Sequence, residues 1–363
     1  MSGRIAGLDV LRGIAILLVM LRHAWPDAFP GAGVTGVVVF FTLSGYLITG
    51  VLQKELQTKG RVNFRRFYAR RVRRLLPALV VLVLVFAVVT VAFDPLDELA
   101  LLPATVAVLL TFTGNLPIAE ISPAAFHGWT LATEEQFYLL WPALLAFTWV
   151  RGRVGAALLV TGLGAMAACV ATLVWLWPHA DNAYALPTSW FVCFVIGATV
   201  RLRGKNVPRW SVPVALVVLV VLSVVPLRGH ALTYLVAGPA IACATGVLLL
   251  SWSRWNQLDR FSRALAALGT LSYGAYLWNY PLTLWLRPEL GGFAGPVAAV
   301  LTVVAAYLSW KFVEEPAMKW RRNSQKTGSP PDEPVVLTAQ NESEEKAVAS
   351  GSWPRRQKGD LWS

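Results

Sequence analysis

Hydrophobic positions in this chain are gathered into long blocks separated by short polar segments. The blocks lie near residues 5–25, 34–52, 75–93, 99–113, 135–150, 155–177, 184–201, 211–227, 231–250, 264–287 and 294–314. Most are roughly 17–23 residues long, the length with which an α-helix crosses a hydrocarbon core about 30 Å thick. The pattern predicts an all-α fold, a polytopic membrane helix bundle.

Charges between the blocks orient it. The segment from Gln53 to Arg74 holds nine Lys and Arg, and further basic loops stand at Arg151 and Arg153, Arg201 to Arg209, Arg254 to Arg263, and Lys319 to Arg322. The remaining loops carry mostly acids or His: Asp27, Asp94, Asp97, Glu98, Glu120, His179, Asp181 and Glu289. Lys and Arg accumulate on the cytoplasmic side. All these signs agree if 99–113, short and interrupted by Pro103, enters the membrane and returns; non-spanning backbone is tolerated there against protein or a cavity. The expectation is therefore about ten transmembrane helices plus one re-entrant or short helix, with both termini cytoplasmic. The first block imitates a signal peptide through Arg4 and the run Ile14 to Leu21. Asp9 and Arg12 interrupt it and no small-residue cleavage site follows Trp25, so it reads as a retained helix. Residues 1–320 form the membrane domain, and 321–363, rich in Ser, Pro, Glu, Lys and Gln, read as a disordered cytoplasmic tail.

Composition supports this and removes other classes. Hydrophobic residues make up 56% of the 363 positions and charged ones only 14%, against about 25% charged in a typical soluble domain. Many of the sixteen Trp sit near block ends, as interfacial anchors do. The net charge of +12 does not indicate nucleic acid, because the excess cations lie between blocks where they encode topology. Cys169, Cys193 and Cys243 each fall inside an apolar block, so neither a disulfide framework nor a metal site is expected.

Ionisable residues inside hydrocarbon are costly and point to function. Arg12 and His23 are eleven residues apart, three helical turns plus about 20°, and share a face. Asp9, one turn before Arg12, can pair with it. The plain reading is an interhelical salt bridge and an interfacial His; three polar groups on one face favour a hydrated cavity. A second cluster runs from His127 through Trp129, Glu134, Glu135 and Gln136 to Tyr138. It opens the helix at 135–150, placing both Glu in the first turn, where the dipole favours carboxylates and Thr130 or Thr133 can cap. This end is expected outside, at the depth of His23. The third cluster, Arg70, Arg71, Arg73 and Arg74 before Leu75-Leu76-Pro77, suits topology, anionic lipid or a phosphorylated ligand.

Together these residues resemble a known family. Arg12 with ten residues to His23, Phe41-Thr-Leu-Ser-Gly-Tyr-Leu47, Arg-Arg-x-Arg-Arg-Leu-Leu-Pro77, Trp129-Thr-Leu-Ala-Thr-Glu-Glu-Gln-Phe-Tyr138, Leu271-Ser-Tyr-Gly-Ala-Tyr-Leu-Trp278 and Phe312-Val-Glu-Glu-Pro316 resemble, in order, the motifs of the acyltransferase family 3 membrane proteins. The resemblance covers about residues 5–320. It implies a bacterial inner-membrane O-acyltransferase that moves an acyl group, usually acetyl from acetyl-CoA, to a hydroxyl of a glycan or glycosylated metabolite. Carried over by position, it implies His23 as the catalytic residue, Arg12 as its motif partner and Glu134 as the acidic position of the Glu-x-Gln motif. From the needs of acyl transfer to a hydroxyl, His23 is expected to act as base, Glu134 to orient its imidazole and Arg12 to stabilise negative charge. Arg71 and Arg74 match the family's paired arginines, with Arg70 and Arg73 at the same spacing one residue earlier, and this cluster is expected to grip the acyl-CoA phosphates; no metal is expected. Substrate-contacting positions would be His127, Trp129, Gln136, Tyr138, Trp278 and Asn279; Trp129 and Trp278 lie inside the motifs and read either as anchors like most of the Trp or as rings that stack on a sugar. Ser44, without an obvious base beside it, reads as a small residue of helix packing, although a covalent route through it or His23 stays open.

Two departures stand out. Family members often read Tyr-Leu-Trp-His-x-Pro, whereas Asn279 occupies the His position; and only 43 residues, mostly polar, follow position 320, where some relatives carry an esterase-like domain. The competing function is a glycan or lipid-linked sugar transporter, which the lack of internal repeats disfavours.

Overall fold

The structure, a computed structural model, describes residues 5–318. The tail at 321–363, with Arg4, Lys319, Arg321 and Arg322, lies outside the described residues. Twelve α-helices occur among those described, and no strand: α1 (Ala6–Ala24), α2 (Ala32–Lys59), α3 (Phe64–Phe93), α4 (Leu102–Thr111), α5 (Gly128–Val150), α6 (Val154–Trp175), α7 (Phe191–Arg203), α8 (Ser211–Val224), α9 (Gly238–Trp252), α10 (Arg260–Thr270), α11 (Ser272–Leu290) and α12 (Ala294–Ser309). Five stretches are long and apolar enough to cross a membrane on length and composition alone: α2, α3, α6, Thr233–Trp252 and Ser272–Met318. Outward rows such as Leu84, Val88 and Val91 on α3 and Leu159, Val160 and Leu163 on α6 are exposed; they are the faces that hydrocarbon covers.

Contacts set the helix directions. Gly36 of α2 lies against Ala15 and Gly33 against Arg22, so α1 and α2 are antiparallel. Ser44 meets Glu134 and Thr49 meets Trp141, making α2 and α5 parallel. Arg71 meets Glu135 while Tyr68 reaches the Tyr138 carbonyl, so α3 opposes α5. Extended through the remaining pairs, α1, α3, α6, α8 and α11 run one way and α2, α5, α7, α9 and α12 the other. Ten of the twelve helices thus alternate, and α4 and α10 stand outside the alternation. The ten residues of α4 are too few to span a bilayer, and the chain leaves α3 and enters α5 at the same end of the bundle. Asn115, in the returning segment, holds it against α5 through Thr133 and Gln136. We call the end where α1 begins the basic end.

Three boundaries depart from the hydrophobic pattern. The basic segment 53–74 is not a loop: α2 and α3 continue through it and are joined by residues 60–63 alone. Gly60, at φ +66°, ends α2 in the left-handed region, and the Asn63 side chain caps the amide of Arg66. Helices of 28 and 30 residues are about 42 and 45 Å long, so their basic ends project beyond the hydrocarbon. The block 264–287 is two helices: α10 crosses α1 closely, and a new helix starts at Ser272. A Cβ on Gly13 would lie 2.0 Å from Leu265 O, and one on Gly269 1.9 Å from Asp9 O, so only glycine permits that crossing. Finally, α5 starts at Gly128, seven residues before the expected 135.

Candidate functional site

The early start of α5 reorganises the site. Glu134 sits six residues into the helix, about 9 Å below its first residue, rather than in the first turn. Thr130 and Thr133 do not cap: their hydroxyls turn back to the carbonyls of His127 and Trp129, each at 3.0 Å. Glu134 therefore faces a cavity of about 360 Å³ that opens toward the basic end between α2, α3, α5 and α11. Its carboxylate accepts hydrogen bonds from Ser44 and from Tyr138. Arg12 lines the same cavity, paired with Asp9 at 3.0 Å as its spacing predicted. Ser44 thus has a carboxylate beside it, and it is the neighbouring Gly45 that packs, its Cα pressed on Phe194 of α7.

Of the four clustered arginines, Arg70, Arg71 and Arg74 line this cavity and Arg73 does not. On a helix Arg73 lies about 100° around from the mean direction of the other three, so the four cannot act as one set. Arg71 is committed to the protein. It donates to Glu135 at 2.7 Å, its guanidinium carbon lies 3.3 Å from the centroid of the Tyr138 ring, and its side chain is 15% exposed. Arg70 and Arg74 are exposed and make neither hydrogen bond nor ion pair among the described residues, which leaves their donors for a ligand.

His23 belongs to a second cavity, of about 170 Å³, at the other end of α1. Its Nδ1 lies 2.5 Å from Asn279 Oδ1, and Asn279 Nδ2 lies 3.1 Å from Thr302 Oγ1. This chain of contacts assigns the protons. With its NH2 directed at Thr302, Asn279 presents a carbonyl to the imidazole, so Nδ1 carries the hydrogen and Nε2 keeps a lone pair. Tyr280 stands 4.9 Å from the His23 ring. His127 lines the same cavity, with Nδ1 on the Ala124 carbonyl at 3.2 Å and Nε2 buried without a partner.

The expectation that His23 and Glu134 meet in one pocket is therefore corrected. Val37 and Tyr276 border both cavities and stand between them. The Tyr276 hydroxyl lies 2.7 Å from that of Thr130 and 3.3 Å from the His127 carbonyl. Glu134 is one turn beyond Thr130 toward the basic end, and Asn279 nearly one turn beyond Tyr276 the other way. Glu134 and His23 are thus about 10 Å apart in depth, and Asn279, not Glu134, orients the imidazole. Arg12, about 16 Å along α1 from His23, cannot stabilise charge beside it.

Several substrate-contact expectations are also corrected. Asn279 is 1% exposed and its amide is used up on His23 and Thr302. Gln136 exchanges two hydrogen bonds with Asn115, at 2.8 and 3.0 Å, and borders neither cavity. Trp278 is buried in the core around Leu79, Leu82 and Phe86. Trp129 is part of the His23 cavity wall, but it is 2% exposed among Phe41, Tyr184 and Trp190 and has no open ring face for a sugar. Tyr138 lines the arginine cavity beneath Arg71. Tyr276 lies within a family motif without a role assigned to it, and Thr302, Arg22, Arg228 and Arg287 fall at no motif position, yet all belong to the surroundings of His23. The last two had a visible signal: they stand at the end of the bundle whose other connections carry mostly acids or His.

Comparison with known proteins places these cavities in context. A family model described as an acyltransferase domain matches residues 5–312. Peptidoglycan O-acetyltransferase OatA of Listeria monocytogenes is 27% identical over 355 residues, 87% of this chain and 56% of that protein. Putative peptidoglycan O-acetyltransferase YrhL of Bacillus subtilis is 31% identical over 367 residues, 86% of this chain and 54% of that protein. O-acetyltransferase OatA of Staphylococcus aureus strain NCTC 8325 is 24% identical over 345 residues, 86% and 57% respectively. The chain spans a little over half the length of these relatives. No solved structure matches it. Because the family match takes in every residue lining both cavities, this multi-pass membrane chain belongs to the acyltransferase domain family.

Proposed function

We propose that the protein is a membrane O-acyltransferase that takes an acyl group, usually acetyl, from acyl-CoA in the arginine cavity and delivers it to a hydroxyl of a glycan or glycosylated metabolite in the His23 cavity. The observation that carries the reading is the abutment of the two cavities across Val37 and Tyr276, one with unpaired arginines at its mouth, the other with an imidazole whose Nε2 is free. The basic end faces the cytoplasm in this reading, following the bias of Lys and Arg. The names of the relatives support O-acetylation, with a peptidoglycan glycan as one acceptor class.

Arg70 and Arg74 hold the CoA phosphates, since guanidinium forks match phosphate oxygens. The pantetheine arm runs along the cavity past Ser44 and Glu134, and the thioester reaches the level of Tyr276. His23 Nε2 takes the proton of the acceptor hydroxyl as its oxygen attacks the thioester carbonyl. The C–S bond then breaks, the thiolate leaves with the proton passed on from His23, and the ester remains on the acceptor. Wild-type protein in lipid nanodiscs should transfer label from [13C]acetyl-CoA to a glycan acceptor, and His23→Ala, inserted normally, should not. Unchanged transfer by His23→Ala removes His23 from the chemistry.

The Ser44–Glu134 contact favours a second route. Ser44 Oγ attacks the thioester while Glu134 accepts its proton, leaving an acyl-Ser44 ester and free CoA. Acetyl label on the protein without acceptor, lost in Ser44→Ala, would select this route.

A further inference from the structure

Among the described residues, the end of the bundle opposite the basic end carries three cationic side chains: Arg22 near the end of α1, Arg228 in the segment between α8 and α9, and Arg287 in the last turn of α11. They come from distant parts of the sequence, and all three line the cavity that contains His23. Arg228 is neutralised by Asp181, with contacts of 2.8 and 3.3 Å. Arg22 and Arg287 have neither an ion pair nor a hydrogen bond among the described residues, and no Asp or Glu lines the cavity. Two uncompensated guanidinium groups thus share one small concavity with His23. Like charges gathered in a cleft focus the field on whatever enters and favour an occupant of opposite sign. The topology bias does not account for them, because it disfavours Arg at this end.

We infer that the His23 cavity selects an anionic acceptor, a sugar bearing a carboxylate or phosphate that Arg22 and Arg287 hold while His23 faces the reacting hydroxyl. The inference rests on the reading that this cavity receives the acceptor, and it adds the acceptor's charge. A guanidinium presents a planar fork that matches either anion. Tyr184 and Tyr280, which also line the cavity, supply ring surface for the sugar itself. Its about 170 Å³ lies below the roughly 300 Å³ of ordinary small-molecule sites, so a single sugar unit enters rather than a folded segment of polymer.

The test uses protein in phosphatidylcholine nanodiscs and two soluble probes, each a single sugar unit: N-acetylmuramic acid with its free carboxylate, and the neutral methyl amide of that compound. Calorimetric titration should show the acid binding about 10-fold more tightly than the amide. In the Arg22→Gln/Arg287→Gln double variant the preference should fall to within about 2-fold. Arg287→Lys in an otherwise wild-type chain should keep most of it, which guards against a double variant that does not fold. Equal binding of the two probes by wild type, a preference that survives in the double variant, or no measurable binding of either probe overturns the inference. Loss of the preference on moving wild type to phosphatidylglycerol nanodiscs overturns it too, since the arginines then serve lipid headgroups. Acetyl transfer from acetyl-CoA to both probes is followed in parallel. A charge preference without transfer leaves this inference standing and refutes acyl transfer; equal affinity with equal transfer does the reverse.

Discussion

Replacing Asn279 by Ala tests the proton assignment at His23 directly. Asn279 Oδ1 lies 2.5 Å from His23 Nδ1, and the amide is itself held by Thr302 at 3.1 Å. Removing it strips Nδ1–H of its partner in a site where Asn279 is 1% exposed. A buried donor left unsatisfied costs about 1–3 kcal/mol. The other tautomer escapes that cost by moving the hydrogen to Nε2, where it blocks the base. With about 1.36 kcal/mol per decade of rate, the loss corresponds to roughly 5- to 150-fold in kcat. The acceptor KM should change little, because Asn279 does not touch the acceptor. Asn279→Asp retains an acceptor toward Nδ1–H and should restore most of the rate, whereas Asn279→Leu should behave as Ala. Thr302→Val removes only the anchor of the amide and should cost roughly 2- to 10-fold, the equivalent of one net hydrogen bond. The assay is initial-rate transfer of labelled acetyl from acetyl-CoA, with kcat and KM resolved separately and thermal unfolding followed alongside. If Asn279→Ala loses thermal stability but keeps kcat within about 2-fold of wild type, Asn279 is only a packing residue and the tautomer argument is wrong.

Other consequences follow from the same contacts. Arg71→Ala leaves Glu135 part-buried and unpaired and removes the stack on Tyr138, so it should destabilise the protein by about 3–5 kcal/mol; adding Glu135→Gln should recover part of the lost melting temperature. Arg74→Ala, on an exposed side chain, should leave the melting temperature unchanged and raise the KM for acyl-CoA, and an unaltered KM would exclude Arg74 from donor binding. A Cβ on Gly45 would lie 2.1 Å from Phe194 O and one on Gly197 2.0 Å from Thr42 O. Either Gly→Ala change should therefore push α2 and α7 apart and cost about 1–3 kcal/mol or more, read as a loss of folded yield in detergent. Tyr276→Ala removes the ring and hydroxyl that stand between the cavities. It should raise hydrolysis of acetyl-CoA in the absence of acceptor, while Tyr276→Phe keeps the partition and should not.

Much of this architecture follows from the chain alone. The long apolar blocks commit it to a bundle of membrane helices, because hydrocarbon forces every backbone group to find its partner inside the segment. The pairing of Asp9 with Arg12 is equally local, one helical turn apart. The shortness of the helix within 99–113 is legible too, from the length of the block and Pro103. Helix starts were less so: the run Gly128 to Thr133 looks like a capped loop by composition, and only its packing against Tyr276 and Asn115 draws it into α5. That shift of two turns carries Glu134 away from His23 and onto Ser44.

Tertiary structure decided the rest, for one physical reason. Periodicity tells which side of a helix a residue occupies but not which residue of another helix lies at the same depth. Asn279 and His23 are 256 positions apart and Ser44 and Glu134 are 90 apart, and each pair is set by how far one helix slides along another. The glycine contacts that let α1, α2, α7 and α10 approach closely set that slide. The same packing divides one expected pocket into two cavities and brings Arg22, Arg228 and Arg287 together around the imidazole.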